Sequence, residues 1–224
     1  MNEFEVLKNI IENRHCKRAF TQKQPEKSQL EEVLKTASEA ASSKNTQPWY
    51  VDVVMGEKKD DLVSSMLQKF DQNEFEKPDY DYAQNPLPEH HLKRARACGF
   101  DLFALKGIGR EDKEKRIKHM RENYELFGAP GVMCFFLDAN ALSGSFLDLG
   151  LFMQNVMLQL TSLGMASCPQ YSLTSYTQTI KEQLVVEGDK LFVCGLSFGY
   201  PDNEALVNTF IPKRASIEEF IRWH

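Results

Sequence analysis

Apolar residues recur at helical spacing in some stretches of the chain and crowd together at strand density in others, so a mixed α and β order is predicted. Phe4, Leu7, Ile10 and Ile11 fall three or four apart or adjacent, which predicts an amphipathic first helix carrying Arg14 to Arg18 at its C-terminal end. A second helix is expected where Ser28-x-x-Glu31 reads as a capping box and Leu30, Val33, Leu34, Ala37 and Ala41 form one apolar face. It leads into a polar loop, Ser42 to Trp49, and then into the apolar strand Tyr50 to Val54. Val132 to Leu137 and Lys190 to Ser197 are dense enough in apolar side chains to be buried strands, and Ala166 to Tyr171 is a short strand or turn. From Ser145 to Leu163 apolar residues cover nearly every side of a helix, with Ser145-x-x-Asp148 at its start and Gly164 as its stop. Such a helix must be buried at the centre of the fold or between subunits. A helix from about Ser175 to Leu184 and a last capping box, Ser216-x-x-Glu219, complete the order.

The middle of the chain reads as a charged helix from Lys58 to Phe70, an acidic stretch with prolines from Asp71 to Glu89, and helices around His90 to Leu105 and Glu111 to Tyr124. Residues 71–127 are either a lid over a site or a solvated helical insertion. A chain of 224 residues suits one domain spanning 1–224, and 42% hydrophobic with 26% charged residues is the balance of a folded protein. The net charge of −5 argues against a broad nucleic-acid footprint, while leaving room for a local basic cluster. Asp148, Gln154, Asn155 and Gln159 interrupt the richest apolar segment, so no membrane span is expected. The acidic start, Met1 to Glu5, lacks the pattern of a signal peptide, and five dispersed cysteines without a Cys-x-x-Cys pair suit reduced thiols in a cytoplasm.

Three stretches hold the candidate chemistry. Arg14-His15-Cys16-Lys17-Arg18 places two arginines four apart at a helix end, where both guanidinium forks can meet one anion. Ser42-Ser43-Lys44-Asn45-Thr46-Gln47-Pro48-Trp49 presents hydroxyls, carboxamides and a cation in a short loop; Trp49 itself reads as core packing. Phe198-Gly199-Tyr200-Pro201, followed by Lys213-Arg214, adds a glycine suited to close approach and a second pair of cations. Competing chemistries lack their residues. His90-His91 are adjacent with no further ligand set for a metal, Gly107-Ile108-Gly109 lacks the third glycine of a dinucleotide loop, no Gly-x-Ser-x-Gly elbow exists, and Cys168 reads as a small buried apolar residue.

Together these stretches resemble the nitroreductase family of flavin mononucleotide (FMN) enzymes, over nearly the whole chain. Residues 14–18 match the family's Arg-x-Ser-x-Arg type motif, with Cys16 in place of the usual Ser. Residues 41–49 match Pro-Ser-Ser-x-Asn-x-Gln-Pro-Trp, with Ala41 in place of the first Pro. The long middle segment, with Arg94-Ala95-Arg96 and Tyr124 to Pro130, looks most like the nitrobenzoate-reductase-type branch. The resemblance implies an α+β fold with a central mixed, mostly antiparallel sheet flanked by helices, in an interlocked homodimer with its sites at the interface. It implies FMN as cofactor, NADH or NADPH as co-substrate, and ping-pong reduction of small electron-poor acceptors such as nitroaromatics or quinones. Reductive dehalogenation, flavin fragmentation, or flavin binding without turnover remain open on the same scaffold. By the same resemblance Arg14, His15, Cys16, Arg18, Lys213 and Arg214 gather at the phosphate, with the choice between the last two undecided. Ser42, Ser43, Asn45 and Gln47 contact flavin or shape its pocket, the serines reaching the partner subunit's flavin, and Pro169, Gln170, Tyr171 and Gly199 line the ring. No side chain is expected to act as a catalytic group, because the cofactor performs the chemistry.

Overall fold

Strand β2 (Gly131–Asp138) sets the layering of the molecule, because its alternate residues are apolar on both faces and all but Asp138 are buried. In the computed structural model, which describes residues 2–82 and 86–224, Met133, Phe135 and Leu137 face one helical layer and Val132, Cys134 and Phe136 face the other. Ala83, Gln84 and Asn85, in the acidic stretch read as part of a lid, fall outside the described residues. The sheet runs β1 (Tyr50–Met55), β2, β4 (Lys190–Gly199), β3 (Ala166–Gln170). Every pairing in it is antiparallel. The expected mixed character survives only as an isolated parallel bridge between Cys16 and Ser167.

On the first face lie α2 (Lys27–Ala37) and α6 (Ser143–Ser162), which pack Leu30, Val33 and Ala37 and Leu149, Phe152, Val156 and Leu160 against β2 and β4. On the second lie α3 (Gly56–Asp71) and α7 (Thr177–Leu184), through Leu62, Met66 and Ile180. Helices α4 (Glu89–Leu105) and α5 (Lys113–Tyr124) come from the middle segment, and α1 (Glu3–Asn13) precedes the basic cluster.

Two of the expected helix caps do not form, and one expected apolar face is left open. The capping box of α2 is Glu26 with Gln29, because the helix begins at Lys27 and Ser28 already lies in its first turn; the helix also ends before Ala41. Helix α6 begins two residues before Ser145, with no side-chain cap. Asp148 is therefore inside the helix, free to turn its buried carboxylate to the loop and accept the Ser43 N–H at 3.1 Å. In α1 the expected apolar face exists but is largely open among the described residues: Ile10 is half-buried, no residue of the helix is buried and Phe4 is 70% exposed. The capping box Ser216 with Glu219 forms as read, on a short 3-10 turn.

A β-bulge gives β4 its bearing on the site. Phe135 pairs with Cys194 but Phe136 pairs with Phe192, leaving Val193 without a partner on β2. The acidic stretch docks there: the Tyr80 hydroxyl donates to the Val193 carbonyl at 2.9 Å, and the Phe192 N–H donates to Asp79 at 2.8 Å.

Candidate functional site

The chain leaves α1 at Arg14 and lays residues 14–19 against the N-terminal half of β3. Cys16 bridges Ser167, and the Lys17 N–H donates to the Ser167 carbonyl at 3.3 Å. Asn208 clamps the same segment. Its side chain accepts the Arg18 N–H at 2.7 Å and donates to the carbonyls of Ala19 at 2.7 Å and Asp202 at 2.8 Å, while its own carbonyl takes the Lys17 ammonium at 2.6 Å. Lys17 is thus held by protein, whereas Arg14 and Arg18, both half-buried, have no carboxylate partner among the described residues.

The charges of this segment converge. Burial, with the cations of Lys17, Arg14 and Arg214 around it, lowers the His15 imidazole below its ordinary value, so the ring is neutral near pH 7. Its buried Nδ1 has no hydrogen-bond partner among the described residues. The Cys16 thiol is pulled down to about 6 by a hydrogen bond with the Cys168 thiol, assisted by Arg18 and Arg14 and opposed by burial. The hydrogen bond to Cys16, burial and the charge on Cys16 push Cys168 well up. Lys213 and Arg214 line a cleft of about 480 Å³ against α4, with His90, Lys93 and Arg94. Of the two, it is Arg214 whose charge is felt at His15.

The C-terminal half of β3 borders a different space. Pro169, Gln170 and Tyr171 line a cavity of about 670 Å³ with Tyr80, Tyr82, Phe146, Met153, Val193 and Cys194, a volume typical of small-molecule sites. Its walls are flat and aromatic. Tyr82 stacks on Tyr171 with ring centroids 4.1 Å apart, and Tyr80 packs against Phe146 at 4.8 Å. The Gln170 side chain is spent within the protein, donating to the Asn123 carbonyl at 2.7 Å and accepting from the Ser197 hydroxyl, so it shapes the wall and is not free for a ligand.

The structure does not bring Ser42, Ser43, Asn45 and Gln47 to either space; none of them lines the cavity or the cleft. The Ser42 hydroxyl accepts the Gln47 N–H at 3.0 Å, folding the loop onto itself, and residues 43–47 are exposed. Lys44, Asn45 and Gln47 all carry positive φ, of 51°, 57° and 46°, an uncommon run for residues with a Cβ. Trp49 stacks on Phe152 at 4.8 Å, as core packing requires. At Gly199 a Cβ would stand 2.5 Å from Pro130 Cδ, so this glycine permits a close approach of the protein to itself. Asn208, Asn123 and the aromatic residues of the acidic stretch escaped the sequence reading. Only the spacing of Tyr80 and Tyr82 within that polar run offered a signal.

The model of the nitroreductase family matches residues 11–200 of the chain. Nitroreductase NfnB of Mycolicibacterium smegmatis is 32% identical over 219 residues, covering 98% of this chain and 93% of that protein. A 4-nitrobenzoate reductase of Pseudomonas putida is 31% identical over 211 residues, 94% of this chain and 92% of its own. Among solved structures, the FMN-dependent nitroreductase NfnB from Mycobacterium smegmatis in complex with NADPH superposes with a TM-score of 0.96 at 30% identity, over 100% of both chains.

Proposed function

Since the chain belongs to the nitroreductase family, we propose that it is an FMN-dependent oxidoreductase that draws electrons from NADPH or NADH and reduces small electron-poor acceptors, nitroaromatics and quinones. The observation that carries this reading is the two-ended character of β3. One end meets guanidinium groups that lack a counter-anion, and the other opens into a flat aromatic cavity, about 13 Å away from Ser167 to Tyr171 along an extended strand. A ligand with a phosphate at one end and a planar ring at the other suits both. The orphaned Nδ1 of His15, in a neutral ring among cations, is a further polar atom for a phosphate oxygen.

FMN, when bound, would supply the redox chemistry, a two-electron transfer from nicotinamide to acceptor in ping-pong order. The chain's task is to hold and orient. Arg14 and Arg18 would take the phosphate with their guanidinium forks, Arg214 would add charge from the tail, and His15 and Cys16 would fill the space between. Pro169 and the backbone at Tyr171 would border the ring, while Tyr80, Tyr82 and Phe146 would enclose an aromatic acceptor and keep water from it. The exposed Ser42 to Gln47 loop serves the second site of a homodimer, which also covers the apolar residues of α1. No helix among the described residues is long and apolar enough to cross a membrane, and the five free cysteines suit a cytoplasmic protein.

The test is spectroscopic. Purified protein should be yellow or turn so with one FMN per chain; the flavin absorption should bleach with NADPH under anaerobic conditions and return on adding 4-nitrobenzoate or a quinone. A protein that neither carries nor takes up FMN at micromolar concentration overturns the reading.

A further inference from the structure

Two thiols meet where the basic segment crosses β3. The bridge from Cys16 to Ser167 holds the two backbones at strand spacing, about 4.8 Å, and one residue of rise, about 3.3 Å, then separates the Cα atoms of Cys16 and Cys168 by about 6 Å. That separation is the commonest for a disulfide. Neighbours on a strand point to opposite faces, so the bridge alone would turn Cys168 away; it is the packing of Cys16 against the apolar cluster that contains Cys168 that brings the two side chains to one face.

We propose that Cys16 is a peroxide-reactive thiol and that Cys168 resolves it, closing a disulfide between the basic segment and β3. In the first step the Cys16 thiolate attacks one oxygen of hydrogen peroxide or an organic hydroperoxide. The O–O bond breaks, the sulfur is oxidised by two electrons to a sulfenic acid, and the other oxygen leaves as hydroxide or alkoxide, which takes up the proton the thiol released to give water or an alcohol. In the second, the Cys168 sulfur attacks Cys16, the S–O bond breaks, and the departing oxygen leaves as water with the Cys168 proton. With hydrogen peroxide the sum is two thiols and one peroxide giving one disulfide and two waters.

The surroundings favour this order. Cys16 is partly accessible, under the charges of Arg14 and Arg18, and its thiol is already pulled down to about 6. The charge on Cys16 and the hydrogen bond to it help raise Cys168. Oxidising Cys16 removes both, leaving Arg18 and Arg14 to favour the Cys168 thiolate against burial. Cys134 and Cys194 are buried with their thiols pushed up by desolvation, and Cys98 lies on α4.

The readout is covalent chemistry on the chain itself, so its outcome is separate from that of the flavin reading. Reduced full-length protein as isolated is treated with one equivalent of hydrogen peroxide at neutral pH and analysed by mass spectrometry without reductant. The expected product is lighter by two hydrogens, with the Cys16 peptide linked to the Cys168 peptide, and dimedone should trap Cys16 in the Cys168→Ser variant about tenfold faster than Cys98. Because a change at buried Cys168 risks the fold, Cys16→Ser provides a second arm and should show no loss of two hydrogens. Oxidation at Cys98 with Cys16 intact, or a disulfide that persists in Cys16→Ser, overturns the proposal.

Discussion

A half-buried guanidinium without a counter-anion is an unfavourable arrangement that a bound anion relieves, and Arg14 and Arg18 are in that state side by side. Arg18→Ala should therefore weaken FMN binding by about 2–5 kcal/mol, the range for truncating one partner of a buried charged pair. Riboflavin, which lacks the phosphate, should lose far less. Fluorescence titration with both ligands checks this, and equal losses would remove Arg18 from the phosphate site. Gly199 calls for the opposite experiment. Its missing Cβ makes room for the rigid Pro130 ring, so Gly199→Ala should cost about 1–3 kcal/mol of stability in urea unfolding and leave flavin affinity of the folded protein nearly unchanged. Lower affinity at unchanged stability would place Gly199 at the ligand.

At the scale of elements, β3 works because a segment distant in sequence is fastened beside it. That fastening is Asn208, whose side chain meets the backbone on both sides of the basic cluster's end. Asn208→Ala leaves one buried N–H and two carbonyls without that partner, at a cost of about 1–3 kcal/mol. Residues 17–19 should then exchange amide hydrogens faster and FMN should dissociate faster, with turnover at saturating FMN little changed. Hydrogen exchange and stopped-flow fluorescence measure both, and an unaltered dissociation rate would detach the clamp from the site. The Ser42 to Gln47 loop is built differently. Its left-handed residues and the Ser43 anchor on Asp148 hold a fixed shape that the chain itself does not use.

At the scale of the whole molecule, the chain exposes more apolar surface than a solitary subunit accounts for. Phe4, Leu7 and Ile11 of α1, Leu147 and Leu151 of α6, and Phe220 and Trp223 of the tail all stand open, Trp223 at 89%. Helix α6, apolar all round, buries one face in the chain and leaves Leu147 and Leu151 on another exposed. Sedimentation equilibrium should give a dimer across micromolar concentrations. Phe4→Glu with Leu7→Glu should shift it toward monomer and lower flavin affinity in parallel. A native monomer that holds FMN would refute the shared site.

The order of the elements, the buried central strands and the motif residues are legible along the chain, because they are written in local periodicity and in side-chain type. Helix starts were read two residues or fewer from their positions, but Ser145 and Ser28 looked like caps and were not, since capping depends on where the first turn begins. Only the tertiary structure decided which residues meet. The pairing of Cys16 with β3, the clamp from Asn208, the docking of Tyr80 on the bulge and the filling of Gly199's space by Pro130 all join residues far apart in sequence. Such contacts arise from the register and packing of the sheet, and no single window of the chain encodes them.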